Sequence, residues 1–186
     1  MGMIVFSDFN CPFCYVFNER LRKLGHSEQV EWRGVQHAPD LLIPMRATRA
    51  ASTELAREVK MIRDMAPEII IAEPSAKPNS GPAIRLMADM LMLDRTAAYA
   101  LKDRIFTALW IDGVDISSST ILHNLASGVS RLVVENRPTD SAIAQAVRWD
   151  RQWRESGLSS VPSGILPNGK PFQGMLSAED LRRYLA

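Results

Sequence analysis

The chain has 186 residues, 22 basic and 21 acidic, giving a net charge of +1 at neutral pH and a mean hydropathy of −0.08. That length supports one good core, or a core with a smaller subdomain, and the charge balance gives no bulk electrostatic pull toward nucleic acid or an anionic membrane. No apolar run is long enough to cross a bilayer, and two cysteines are too few for a secreted disulfide framework.

The run Met3 to Phe6 is apolar and rich in β-branched and aromatic residues, as suits a buried strand. It begins so near Met1 that the sequence as it stands has no room for a signal peptide, and a cytoplasmic location is expected. A helix follows. Pro12 suits its first position, where a missing N–H costs nothing, and Phe13, Phe17, Leu21 and Leu24 recur at helical spacing until Gly25. Both cysteines lie at this junction in the order C-P-F-C, Cys11 just before the helix and Cys14 one turn further on. At a helix N-terminus the unpaired N–H groups and the dipole favour thiolate over thiol, which makes Cys11 the better nucleophile. The spacing lets Cys14 attack a mixed disulfide formed at Cys11, releasing the bound thiol and closing a reversible C-x-x-C disulfide. Two other readings compete: half of a structural zinc site, which only His26, His37 and His123 are left to complete, and a pair of ordinary buried cysteines. The strand-turn-helix setting favours redox chemistry without a metal.

Val30 to Gln36 alternates in part and reads as a second strand, parallel to the first across a right-handed crossover. His37 closes it, facing either the cysteines or the interior. Pro39 and Pro44 then turn the chain away. From Thr48 to about Gly157 the pattern is helical: a stripe of Leu55, Val59, Ile62 and Met65 ending at Pro67; an irregular proline-rich stretch; a helix capped by Asn79 or Ser80 through Ile84, Met87 and Leu91; another through Tyr99, Ile105, Phe106 and Leu109. A short helix follows Asp115 to Ser118, and a longer one starts at Pro138 with Ile143, Ala146, Val147 and Trp153 on its apolar face. Met87, Met90, Met92, Phe106 and Trp110 either line a groove or fill the core. Val161 to Leu166 is a strand candidate, Pro167-Asn168-Gly169-Lys170 a hairpin turn into Pro171 to Gln173, and Ser177 caps a last helix.

The resulting order is β-α-β, helical block, β-β-α. With C-P-F-C at the first helix and a proline opening the third strand, it resembles an α/β thioredoxin fold with a helical domain inserted between its β-α-β and β-β-α halves. The sequence is similar to the DsbA family of thiol-disulfide oxidoreductases, and within it to the FrnE-like branch related to 2-hydroxychromene-2-carboxylate isomerases and kappa-class glutathione transferases. The resemblance is carried by D-F-N-C-P-F-C-Y from Asp8, V-E-W-R-G-V-Q from Val30, P-N-S-G-P-A-I-R-L from Pro78, the stretch from Arg104 to Ser117, and S-V-P-S from Ser160. It implies a thioredoxin-like domain of residues 1–45 and 158–186 and an inserted helical domain of 46–157. Cys11 matches the family's nucleophile, Cys14 its resolving cysteine, and Pro12 and Phe13 the dipeptide that tunes redox poise. Val161-Pro162 matches the cis-proline loop, so the resemblance implies a cis bond and a Val161 backbone able to pair with an extended substrate. The isomerase and transferase relatives usually carry serine where Cys11 stands. Ser163 stands where threonine is frequent in DsbA proteins. No acidic residue occupies the strand position of DsbA's buried glutamate; Asp8 is the nearest carboxylate, either assisting proton transfer at Cys14 or lying exposed at the strand end or capping the helix.

The expected activity is thiol-disulfide exchange with protein or small-thiol substrates through a mixed disulfide at Cys11. It requires no metal or organic cofactor and uses glutathione or thioredoxin as redox partner, with no nucleic acid or membrane involved. The alternatives are a glutathione-dependent transferase or isomerase acting on a hydrophobic organic substrate, and a redox-linked, chaperone-like module that binds clients. A cytoplasmic location favours reduction or exchange, whereas resemblance to DsbA favours oxidation.

Overall fold

The structure, a computed structural model, describes residues 2–130 and 137–185. Strand β1 (Met3–Ser7) is followed by helix α1 (Pro12–Lys23), a turn of 3-10 helix and strand β2 (Val30–Gly34). Five helices come next: α2 (Arg49–Met65), α3 (Gly81–Leu93), α4 (Arg95–Trp110), α5 (Ser119–Ser127) and α6 (Asp140–Glu155). The chain closes with β3 (Ser163–Ile165), β4 (Pro171–Gln173) and α7 (Ala178–Leu185). The strands lie in the order β2-β1-β3-β4, with β1 and β2 parallel and the other two pairings antiparallel. This is a thioredoxin fold with α2–α6 standing between its two halves. Among the described residues no helix is long and apolar enough to cross a membrane.

Helix α1 is buried on nearly every side, because it contacts α7 as well as α2 and α4. Phe17 and Leu21 join Met3, Val5, Val30, Phe172 and Leu181 in one apolar cluster, where the Phe17 and Phe172 rings stack at 5.8 Å. Tyr15 and Val16 join Phe6, Phe9, Trp32 and the helical block in the other. Four of the five helices of that block, α3 excepted, begin on side-chain caps. Thr48, Asp94, Ser118 and Thr139 each accept a main-chain N–H of the first turn, which satisfies a donor the helix cannot satisfy itself.

Several expectations shift in detail. Strand β2 stops at Gly34, two residues early, although the Val35 N–H still reaches the Ser7 carbonyl at 3.0 Å; beyond it the Gln36 side chain donates to Asn79 Oδ1 at 2.7 Å. At the start of α3 that same oxygen receives the Gly81 N–H while Ser80 makes no capping bond, so Asn79 organises the turn. Met65 ends α2 exposed, and Ala66 beyond it is buried instead. Met87, Met90, Phe106 and Trp110 fill the core, whereas Met92 is exposed. Helix α6 starts at Asp140, after its Thr139 cap, and turns Ala142, Trp149 and Trp153 inward, not Ile143 and Val147. The flat tryptophans and the small alanine set its buried face; the two aliphatics line a groove of about 210 Å3 with Gly34, Ile84 and Arg85. Strand β3 is a shorter element than Val161 to Leu166, while the hairpin after it forms with Gly169 at φ 83°. Ser177 Oγ caps α7 through the Asp180 N–H at 3.0 Å.

Lys102 on α4 is an anomaly, 1% exposed with no hydrogen-bond partner for Nζ, which lies 4.6 Å from the centre of the Tyr99 ring. Burial pushes its pKa down to about 8, with Asp103 opposing. Since the unfolded chain binds that proton more tightly, stability rises with pH between about 8 and 10.5. Lys102→Met is expected to raise stability at pH 7 by on the order of 1–3 kcal/mol, the desolvation cost less the cation–π contact, and to abolish that rise; urea denaturation at pH 7 and pH 10 measures both. Gly164, opposite Val5 in the β1–β3 ladder, is the reverse case: an added Cβ would fall 1.9 Å from the Ile4 carbonyl oxygen. Gly164→Ala is expected to cost more than about 2 kcal/mol in the same assay.

Candidate active site

Where β1 ends, Asp8, Phe9 and Asn10 form a turn before α1 begins. Its conformation is held from outside. The Phe9 carbonyl accepts the Trp110 indole N–H at 2.8 Å, and its ring sits 5.2 Å from Trp32 and 4.8 Å from Phe106. Asn10 Nδ2 donates to the Pro78 carbonyl at 2.9 Å. Both Trp110 and Pro78 lie between the two halves of the sheet in sequence, so the segment inserted there braces the turn.

Cys11 is the N-cap residue of α1, with extended backbone angles, and Pro12 opens the helix as the sequence predicts. Its thiol donates to the Val161 carbonyl at 3.5 Å, across 150 positions of sequence. The Val161–Pro162 peptide bond is cis. One turn into the helix, the Cys14 sulfur accepts the Asp8 main-chain N–H at 3.4 Å. Both cysteines are free and buried, 5% and 1% exposed, and Phe13 between them is half-buried. The structure therefore brings Cys11, Pro12, Phe13, Cys14, Val161 and Pro162 together.

The two thiols differ in acidity. Burial alone pushes the Cys11 thiol up, but hydrogen bonds from the Cys14 side chain and main-chain N–H, with the charge of His37, outweigh it and the opposing Asp8, so its pKa lies below the ordinary thiol value. Burial and the neighbouring Cys11 sulfur push Cys14 well above that value, with only small relief from the Asp8 N–H and Ser7. One cysteine is thus poised to ionise and the other to stay protonated.

Asp8 is wholly buried, neither exposed at the strand end nor a side-chain cap of α1. Its Oδ2 accepts the His37 main-chain N–H at 2.9 Å and faces His37 Nδ1 at 2.7 Å, and its Oδ1 accepts the Asn10 N–H at 3.3 Å. The imidazole is 29% exposed. Burial lowers the affinity of His37 for its proton, but the Asp8 carboxylate and the Cys11 sulfur more than restore it, against Lys77, so its pKa is raised. The sequence reading left His37 open between the cysteines and the interior, and the structure ties it to Asp8 beside the cysteine turn. The signal was available: it follows a strand parallel to β1, so both strands deliver their next residues to the same edge of the sheet. Among the described residues no three His, Cys, Asp or Glu side chains gather as a metal site.

Among solved structures the chain is similar to a probable DsbA oxidoreductase from Streptomyces coelicolor, with TM-score 0.73, 17% identity and coverage of 98% of this chain and 87% of that one. It is similar to the cytosolic disulfide reductase DsbM from Pseudomonas aeruginosa, with TM-score 0.70, 17% identity and coverage of 100% and 92%; a second structure of DsbM includes GSH. A 2-hydroxychromene-2-carboxylate isomerase aligns with TM-score 0.63, 17% identity and coverage of 98% and 92%. No curated protein matches by sequence. At these identities the structural likenesses speak for the fold, while the sequence itself matches the DSBA-like thioredoxin domain over residues 3–186, and the chain therefore belongs to the DSBA-like thioredoxin family.

Proposed function

We propose that the protein is a thiol-disulfide oxidoreductase that works through a mixed disulfide at Cys11. The observation that carries this reading is geometric: Cys11 caps the N-terminus of α1 with its sulfur at the Val161 carbonyl beside the cis Pro162, and Cys14 follows one turn into the same helix. In the reducing direction the Cys11 thiolate attacks one sulfur of a substrate disulfide, forming the mixed disulfide and expelling the other sulfur as a thiolate, which takes up a proton. Cys14 then loses its proton and attacks the Cys11 sulfur, closing the Cys11–Cys14 bond and releasing the second substrate thiol. The enzyme has given up two electrons, and a dithiol or glutathione restores them. The oxidising direction is the same sequence reversed. Val161, whose carbonyl lies at the Cys11 sulfur, offers a main-chain edge to an extended peptide beside Pro162. Asp8, whose carboxylate is bonded to His37 and the Asn10 N–H, is in this proposal the group that assists proton transfer at Cys14.

We favour reduction or exchange in the cytoplasm, with protein or small-molecule disulfides as substrates and glutathione or thioredoxin as electron donor. Cys11→Ser is expected to abolish turnover of a disulfide substrate such as insulin, and Cys14→Ser to accumulate mixed disulfides visible by mass spectrometry. Full activity in Cys11→Ser would overturn the mechanism, and a Cys14→Ser variant that still turns over with glutathione would favour a transferase or isomerase. Equilibration in glutathione buffers reads the direction: a potential near about −270 mV fits a reductase, and one near about −120 mV overturns that direction.

A further inference from the structure

Neither residue between the two cysteines carries a charge, and the basic side chain tied to the turn before α1 is His37, just past β2. His37 is attached to Asp8 twice, through its main-chain N–H and through Nδ1, and both bonds end on the same carboxylate oxygen. A carboxylate oxygen can only accept, so Nδ1 carries a hydrogen and Nε2 is left to gain or lose the titrating proton. With the imidazole 29% exposed and Asp8 wholly buried, that proton has a route to solvent which the carboxylate lacks. A buried carboxylate is stable as an anion only when paired and fully hydrogen-bonded; the Asn10 N–H and the two His37 donors supply this, and the imidazolium supplies the charge.

We infer that His37, clamped by the buried Asp8 three residues beyond β2, adds a positive charge that favours the reactive thiolate of Cys11 alongside the Cys14 hydrogen bonds, and that Asp8 acts on the cysteine pair through His37. The inference rests on Cys11 being the nucleophile. His37 is here a positioning residue, acting by charge on the sulfur that touches substrate. The groups that bear on Cys11 are the Cys14 thiol, His37 and Asp8; those that bear on His37 are Asp8, Cys11 and Lys77, and Lys77 is itself paired with Glu58 of α2 at 2.5 Å. Linkage adds a reciprocal effect: whatever His37 contributes to the thiolate, the thiolate returns to the imidazolium. Oxidation to the Cys11–Cys14 disulfide removes that negative charge, so the affinity of His37 for its proton must fall when the pair is oxidised.

The test is thiolate absorbance at 240 nm against pH, in a Cys14→Ser background that isolates Cys11. His37→Gln is expected to raise the Cys11 midpoint by about one unit, and His37→Arg, which keeps the charge, to recover most of the shift; Asp8→Asn removes an opposing charge as well as the clamp, so its shift is expected to be smaller than that of His37→Gln. An unchanged midpoint in folded His37→Gln protein overturns the inference. Should those variants not fold, the wild-type protein still decides it. The His37 ring protons are followed by NMR in reduced and oxidised samples; a lower midpoint on oxidation supports the coupling and equal midpoints refute it. Neither readout needs a substrate. A failure of disulfide turnover thus counts against the proposed function, whereas a fixed midpoint alongside trapped mixed disulfides counts only against His37.

Discussion

A single buried carboxylate holds the functional corner of this protein together. Taking Asp8 out of water costs several kcal/mol unless both oxygens find donors, and the donors come from the turn after β1 and from the residue that ends the second-strand segment. Its main chain is equally committed: the Asp8 N–H reaches the Cys14 sulfur, and its carbonyl accepts the Cys11 N–H at 3.3 Å. One residue thereby fixes the end of one strand, the exit from its parallel neighbour and the start of the helix that bears the cysteines.

The helical block completes what Asp8 begins. Trp110 and Pro78 brace the turn on one side, and Trp153 of α6 donates to Ser163 Oγ at 3.3 Å beside the Pro162 loop on the other. The insertion therefore stands as a wall around the site and encloses α1, which an open sheet would leave half solvated. Enclosure has a cost at Lys102, where a long basic side chain was sealed in with a ring for company and no acceptor.

The fold was legible because its signals are local. Pro12 at a helix start, Gly169 in a hairpin and Ser177 at a cap each impose their conformation through their own backbone or side-chain chemistry. The cysteine pair was legible for the same reason, since two residues of spacing on a helix fix their proximity. What escaped depended on partners distant in sequence. Ile143 and Val147 look like a core stripe until Trp149 and Trp153 claim the inward face of the same helix. His37 stayed between two readings because the carboxylate that anchors it lies 29 residues earlier, brought alongside only by the pairing of two strands. The 0% exposure of Asp8 likewise depends on the whole assembly and on no neighbouring residue in sequence.

The near-complete burial of Cys14 has a consequence for how the protein ages. Sulfur oxidation proceeds through the thiolate, so under the proposed function peroxide would attack Cys11, the sulfur displaced toward thiolate, and convert it to a sulfenic acid. The protonated, sheltered Cys14 is spared that attack yet stands within reach of the damaged sulfur, and condensation of the two expels water and leaves a disulfide. That route would pre-empt the irreversible sulfinic and sulfonic states and return the lesion to the disulfide form of the proposed cycle.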